Sequence, residues 1–135
     1  MTGATRMKYL IMMTHSPDDP VQDWSPEDVT ASWKHMQQIH QELTEAGELV
    51  AAEKLAGPEA TKIVASDGVS APVITDGVYP EAKELLAGFW MVDVDSHERA
   101  IEIAARTSAA PGPGGAPTRK PIVVRPIMDA PPPEW

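Results

Sequence analysis

Cysteine is absent from this chain of 135 residues, so disulfide bonds and thiolate chemistry are excluded. That composition is typical of a reducing compartment, and we expect a cytoplasmic protein. No apolar run approaches the ~20 residues that a membrane-spanning helix needs. Residues 1–6 also lack the apolar stretch of a secretory signal. We interpret them as a disordered lead-in to one domain at residues 7–128.

Basic residues are scarce: 11 Lys and Arg stand against 20 Asp and Glu, which gives a formal net charge of −9. Affinity for nucleic acid depends mainly on contacts between basic side chains and phosphates. The charge therefore argues against nucleic acid as a partner. An acidic surface favours solubility and would suit a basic protein partner.

Apolar runs and turn signals predict the order strand, helix, strand, hairpin, strand, helix, strand. The strands are expected at residues 7–14, 49–55, 61–65, 71–75, 89–94 and 121–127. The run 89–94 is apolar on both faces, which is typical of a central strand buried on two sides. Asp67-Gly68 supplies the turn of the hairpin, and the prolines of the last strand favour a sheet edge.

Capping residues delimit two helices. Ser25 is a favourable N-cap, Pro26 suits the first helical position, and Gly47 ends the helix. An apolar stripe recurs along this helix, and its members are Val29, Trp33, Met36, His40 and Leu43, flanked by Ile39. Ser96 caps the second helix, which continues to about Thr107.

Two segments are rich in proline. Residues 109–117, which read AAPGPGGAP, exclude regular structure and predict a flexible connector. Residues 129–135 form a proline-rich tail that ends in Trp135. Either this tail is unstructured, or it docks on its own chain or on a partner subunit.

The order of elements resembles two βαβ halves. It predicts a ferredoxin-like α+β fold, an antiparallel sheet with two helices on one face. The other face would leave apolar side chains uncovered, namely Phe89, Met91, Tyr9 or Leu10, and Ile122 or Val123. Because a bare patch of that size implies a partner, most simply a second copy of the chain, we expect a homodimer.

Five segments carry a family resemblance; they are residues 7–10, 47–50, 75–77, 83–89 and 124–128, which read MKYL, GELV, TDG, KELLAGF and VRPIM. Their order resembles that of the YCII-related proteins. Residues 76–84, DGVYPEAKE, stand where the DGPF branch of that family reads roughly DGPFAETKE. The sequence is thus similar to the DGPF branch, with Gly-Val-Tyr in place of Gly-Pro-Phe.

The resemblance implies a dimeric α+β barrel with a small-molecule pocket near the subunit interface. In the broader group a His–Asp pair is the proposed general acid and base, which suggests an enzyme of lyase or hydrolase type. His35 is the nearest match to that histidine, whereas the Asp after the second helix has no counterpart here. DGPF genes often lie beside extracytoplasmic-function sigma factors, so a non-catalytic partner of a sigma factor is the alternative. Whether the chain is an enzyme stays open.

Four residues are candidates for acid–base chemistry: His15, His35, His40 and Asp76. Imidazole titrates near neutral pH, and burial or a carboxylate tunes it for that work. The alternatives are a core histidine with one hydrogen bond and an aspartate that bonds its own turn. The candidates for ligand contact are Tyr79, Lys83 and Trp33.

The sequence predicts neither a metal site nor a cofactor. His35 and His40 are five residues apart, which splays their side chains by roughly 140° around a helix. Phosphate-binding glycine loops and nucleophile elbows are absent from the sequence. We therefore expect a small-molecule ligand without a metal or a cofactor.

Overall fold

The computed structural model describes residues 6–15, 24–77 and 85–128. The strands in these ranges are β1 (Met7–His15), β2 (Leu49–Lys54), β3 (Lys62–Ala65), β4 (Val73–Asp76), β5 (Leu85–Val94) and β6 (Ile122–Pro126). The helices are α1 (Pro26–Glu45) and α2 (His97–Ser108). No helix in the described ranges has the length and apolar character to span a membrane. The predicted tail at 129–135, with Trp135, lies outside the described residues, as do residues 1–5.

Four strands form the main sheet in the order β2-β5-β1-β6, and every neighbouring pair is antiparallel. Both helices pack on one face of it, with α2 over β6, β1 and β5, and α1 against β2 and α2. This is the predicted ferredoxin-like α+β arrangement, and β6 lies at a sheet edge as its prolines indicated. β3 and β4 form the predicted hairpin as a separate two-stranded sheet.

The central strand β5 is buried on one face and half-buried on the other. Trp90, Val92 and Val94 point toward the helices and form the core. Phe89 and Met91 point to the opposite face, which we call the open face, and remain half-buried. The prediction of burial on both sides is therefore wrong within one chain, because the helices cover only one face.

Pairing within the sheet decides which side chains of the edge and central strands share the open face. Leu10 lies opposite Met91 across β1 and β5, and Met12 lies opposite both Phe89 and Val123. Directly opposite residues point to the same face. Of the alternatives left by the sequence, Leu10 and Val123 therefore lie on the open face. Tyr9 is in the core, and Ile122 packs against it.

Helix α1 begins where its capping residues predicted. The Asp28 amide donates to the Ser25 side-chain oxygen at 3.1 Å, and the Ser25 amide donates to Asp28 Oδ2 at 3.1 Å. This reciprocal capping box satisfies two amides that the helix itself leaves without partners. The hydrogen bond from the Ser25 amide holds the pKa of Asp28 below its usual value.

Replacing this cap should weaken the fold measurably. We expect Ser25→Ala to lower the free energy of unfolding by about 1 kcal/mol, because the Asp28 amide loses its acceptor. Urea denaturation followed by circular dichroism measures the change. Ser25→Asp, which keeps a capping oxygen, is the matched control and should stay close to the wild type. Equal losses in the two variants would contradict a capping role.

The buried stripe of α1 is rotated from the predicted one by about one residue. Its buried and half-buried positions are Asp28, Ser32, His35, Met36, Ile39, Glu42 and Leu43. Met36 and Leu43 were predicted correctly, whereas Val29 is 52% exposed and Trp33 60% exposed. His40 is exposed as well. Sequence spacing alone is compatible with both stripes, and the packing of α1 against β2 and α2 selects one of them.

The segment predicted as a flexible connector has a defined conformation. Pro111 and Pro117 form a β-bridge, and Pro113–Gly115 makes a turn of 3₁₀ helix between them. The Gly114 amide donates to Asp28 Oδ1 at 3.2 Å, which fastens the segment to the start of α1. The left-handed φ of 68° at Gly114 is the conformation that glycine permits at such a turn. The prediction of flexibility at 109–117 is therefore wrong.

Candidate functional site

One end of the main sheet holds the candidate position His15. There β1 ends and β5 begins, with His15 paired to Leu85. The start of α1 is joined to the connector here by the hydrogen bond from Gly114 to Asp28. The end of α2 is joined to the residues after the connector by the hydrogen bond from Ser108 to the oxygen of Lys120. We call this region the loop end of the sheet.

His15 is placed at the loop end by an irregularity in β1. The pairing of β1 with β5 shifts register between Met13 and Thr14, and Thr14 separates this irregularity from His15. Such bulges bend a strand and are frequent next to active sites. Across from His15, Leu85 continues from the segment 78–84. Tyr79 and Lys83 lie in that segment, outside the described residues.

Lys120 is a loop-end residue that the sequence reasoning missed. Its ammonium Nζ donates to the backbone oxygen of Thr14 at 3.2 Å, and the side chain is half-buried. Thr14 and Lys120 are 106 positions apart in the chain. No local pattern marks such a contact, although a lysine in a strongly acidic chain is a signal that could have been weighed.

His35 lies between the two helices. Its Nε2 is 2.8 Å from the backbone oxygen of Arg106 near the end of α2. A carbonyl oxygen only accepts hydrogen bonds, so Nε2 carries the proton that it donates here. The side chain of Arg106 also forms an ion pair with Glu42 on α1. His35 therefore joins α1 to α2, and this contact accounts for its position without any ligand.

His40 lies beside the core instead of within it. Its ring centroid is 6.1 Å from that of Trp90, with a tilt of 47° between the planes. Trp90 is 5% exposed, and its Nε1 donates to Thr107 Oγ1 at 3.0 Å. The exposed His40 thus covers an edge of a buried indole, and its placement on the apolar stripe is wrong.

Asp76 is the last residue of β4, on the two-stranded hairpin. Its carboxylate forms an ion pair with Lys62, the residue paired with it across the hairpin, and 82% of the Asp76 side chain is exposed. The residues that follow Gly77 in its turn lie outside the described ranges. The other aspartate that precedes a glycine, Asp67, bonds its own turn. Its Oδ1 accepts from the amides of Val69 and Ser70, which lowers the pKa of Asp67.

Trp33 projects from the outer surface of α1, where 60% of it is exposed. A shallow depression on the first turns of the same helix is lined by Pro26, Glu27, Thr30, Ala31 and Lys34. It is open to solvent along one helix. Neither feature contacts the loop-end residues through a hydrogen bond or ion pair in the described part of the chain.

A further histidine, His97, was not singled out from the sequence. The hydroxyl of Tyr9 lies 3.3 Å from its Nδ1, and the two ring centroids are 5.6 Å apart. Tyr9 is 3% exposed, and His97 is the first residue of α2. This contact fixes the start of α2 on β1, at the opposite end of the strand from His15.

Among the histidines whose side chains the structure describes, which are His35, His40 and His97, none pairs with an aspartate. His35 and His97 bond to a carbonyl and a hydroxyl, and His40 contacts an indole. Within the described ranges, no group of three His, Asp or Glu side chains is arranged to hold a metal ion. The structure therefore brings His15 and Lys120 to one end of the sheet and leaves Asp76, His40 and Trp33 elsewhere.

The comparisons with known proteins agree with the fold. No curated protein matches the chain. The sequence profile of the YCII-related domain matches residues 7–118, which is more than half of the chain. That range begins with β1 and includes the main sheet up to β5, both helices and most of the connector. The chain therefore belongs to the YCII-related domain family.

Proposed function

We propose that the protein is a homodimer that joins its subunits through the open face and binds a small organic molecule at the loop end, close to that interface. The open face carries this proposal. It presents the apolar side chains of Leu10, Met12, Ala51, Phe89, Met91 and Val123 on one side of the sheet. A contiguous apolar patch of this kind is covered by a partner in most proteins, and a second copy offers the same patch.

Charges at the edges of the open face favour one orientation of the two subunits. Glu53 lies on β2 opposite Phe89, and Arg125 lies on β6 opposite Leu10, so the two charges flank the apolar strip. A two-fold axis parallel to the strands places β2 of one subunit over β6 of the other. Glu53 then lies over β6 of the other subunit, two positions along the strand from Arg125 of the partner subunit, because Glu53 aligns with Phe89 and Met12 whereas Arg125 aligns with Leu10. An axis across the strands would instead bring like charges together, which is unfavourable.

The oligomeric state tests the proposal directly. Light scattering after size exclusion should give twice the subunit mass of 14.6 kDa. We expect Glu53→Arg and Arg125→Glu each to weaken the dimer about tenfold, or about 1.4 kcal/mol. The double variant should recover most of that loss, because the pair is restored with reversed sign. A monomeric wild type would refute the proposal, and a double variant no better than the single ones would refute the orientation.

Acid–base chemistry at this site is assigned to His15. The bulge before His15 and its pairing with Leu85 support this choice over His35 and His40, whose ring contacts serve the helices and the core. A thermal-shift screen of small acids, esters and amides identifies ligands, and turnover of each is followed by NMR. We expect His15→Asn to abolish turnover, whereas His40→Asn should retain it. Turnover that survives replacement of all three histidines would refute the acid–base function.

A non-catalytic role beside a sigma factor is the second candidate. The net charge of −9 supports it, as does the lack of a His–carboxylate contact among the described residues. The test is co-purification at low salt with an extracytoplasmic-function sigma factor encoded next to the gene. Electrostatic association should weaken as salt rises, since screening shortens the range of charge interactions. Failure to co-purify at low salt would count against this role.

A further inference from the structure

We infer that the hairpin of β3 and β4 is an arm that packs on a second copy of the chain. This inference rests on the homodimer proposed above and adds a contact to it that lies outside the open face. The two strands form a sheet of their own, separate from the main sheet. Within the described ranges, no hydrogen bond or ion pair joins residues 62–76 to a residue outside them. The Gly77 amide, which donates to the oxygen of Thr61 at 2.7 Å, closes the base of the hairpin.

This arrangement leaves the hairpin short of stabilising packing. A two-stranded hairpin by itself is marginally stable at best in water, and it gains stability when one of its faces packs on another element. In the described part of the chain, β3 and β4 contact each other far more extensively than they contact any other strand or helix. The surface of a second subunit would supply the missing packing.

One face of the hairpin is apolar and exposed. Val64 and Ile74 lie directly opposite each other, and 59% of Val64 and 62% of Ile74 are exposed. The ion pair of Lys62 and Asp76 lies on the same face and leaves it without net charge. Ile63, the half-buried residue of the two strands, points to the other face. We call the face that carries Val64 and Ile74 the arm face.

The path of the chain connects the open face to this hairpin. The Leu55 amide donates to the oxygen of Ala87 at 2.8 Å, which extends the pairing of β2 with β5 by one residue. Side chains alternate along a strand, so Leu55 points to the same side as Glu53, which is the open face. Leu55 is 42% exposed. The exposed apolar surface therefore continues from the open face toward the hairpin, and this continuity assigns the arm to the same dimer.

The proposed orientation of the subunits places the start of the arm beside the partner's connector. Lys54 at the end of β2 and Ile122 at the start of β6 lie at the same level of the sheet, since both align with Gly88 and Met13. A two-fold axis parallel to the strands preserves this level, so β2 of one subunit ends over the start of β6 of the other. Residues 113–117, shortly before β6, are exposed and uncharged. Such a surface suits the arm face, and the symmetry makes the contact twice.

Substitution of the arm face should weaken the dimer without unfolding the subunit. Threonine keeps the branched shape that favours a strand, so Val64→Thr with Ile74→Thr should retain the circular dichroism of the wild type. Each arm would then bury two hydroxyl groups in an apolar contact, and we expect the dissociation constant to rise at least about tenfold. Val73→Thr is the matched control, because Val73 is 66% exposed on the opposite face of the hairpin. It should leave the dissociation constant unchanged.

Cross-linking locates the contact. Because the chain has no cysteine, two introduced cysteines are the only thiols. Val64→Cys combined with Ala116→Cys and treated with a short bismaleimide should give a product of twice the subunit mass of 14.6 kDa on denaturation. Val64→Cys combined with Ala31→Cys, on the outer surface of α1, should remain at the mass of one subunit. A first pair that also remains at one subunit mass would overturn the inference.

The arm and the open face can each fail alone. A dissociation constant that is unchanged by Val64→Thr with Ile74→Thr, in a protein that Phe89→Asp converts to a monomer, would refute the arm and leave the open-face dimer standing. A dimer that is weakened by the arm substitutions but retained in Phe89→Asp would refute the open-face assembly and leave the arm standing. Equal losses from Val73→Thr and from the arm substitutions would also overturn the assignment of the arm face.

Discussion

Phe89→Asp should convert the protein into a folded monomer. Phe89 lies on the open face between Glu53 on β2 and Met12 on β1, at the centre of the proposed interface. In the dimer the new carboxylate would be enclosed by apolar side chains of both subunits, and burying a charge without a partner is costly. Central aromatic residues contribute most to many interfaces, so we expect the dissociation constant to rise by at least about 100-fold.

Light scattering over a dilution series measures this change. The matched control is Val69→Asp, because Val69 is 92% exposed in the turn between β3 and β4. That variant should keep the mass of the wild type. Circular dichroism should show the same secondary structure in both variants, since Phe89 points away from the core. A Phe89→Asp protein that retains twice the subunit mass would place the interface elsewhere.

Truncation of the buried Trp90 on β5 and of the exposed Trp33 on α1 should have very different effects on stability. Trp90→Ala should lower the free energy of unfolding by about 3–5 kcal/mol, because it empties the space of a buried indole. The loss includes the hydrogen bond from Trp90 to Thr107. Trp33→Ala should change it by no more than about 0.5 kcal/mol, since most of that side chain is already in solvent.

Urea denaturation at one fixed protein concentration provides the comparison, because the stability of a dimer depends on concentration. Trp90→Phe, which keeps most of the apolar volume, should lose less than Trp90→Ala. A Trp33→Ala variant as destabilised as Trp90→Ala would show that Trp33 is buried, for example against a second subunit. Equal and small effects in both would contradict the position of the core.

The starts of the two helices could be predicted because the residues that cap them are close together in the sequence. Ser25 and Asp28 are three residues apart and cap α1 through their own backbone. Ser96 accepts from the Arg99 amide at 3.1 Å and starts α2 in the same way. Each signal is complete within one helical turn, so the sequence carries it before any tertiary contact forms.

The rotation of α1 about its own axis, which decides which of its faces is buried, could not be predicted in the same way. A stripe through Trp33 and His40 has the same spacing as one through Ser32 and Ile39. The first stripe contains more apolar residues at the start of the helix, yet the fold buries the second. His35 reaches Arg106, 71 positions away, and that contact depends on where α2 lies.

The candidate site, too, could be predicted only in part from the sequence. Its family and its histidines were visible in the sequence, whereas the loop end is assembled by contacts between distant segments. Lys120 reaches Thr14, and Gly114 reaches Asp28. The connector, which makes the second of these contacts, has a proline- and glycine-rich composition that predicted flexibility, and its hydrogen bonds give it one conformation.

By itself the sequence determined the type and order of the elements and, from that order, the ferredoxin-like fold, because caps, turns and apolar periodicity act over a few residues. Its motifs carried the resemblance to the family. The tertiary structure alone decided which of two adjacent side chains enters the core, as with Tyr9 and Leu10, and which residues meet at the loop end. Strand register and helix rotation depend on packing between segments far apart in the chain, so a local pattern leaves them open.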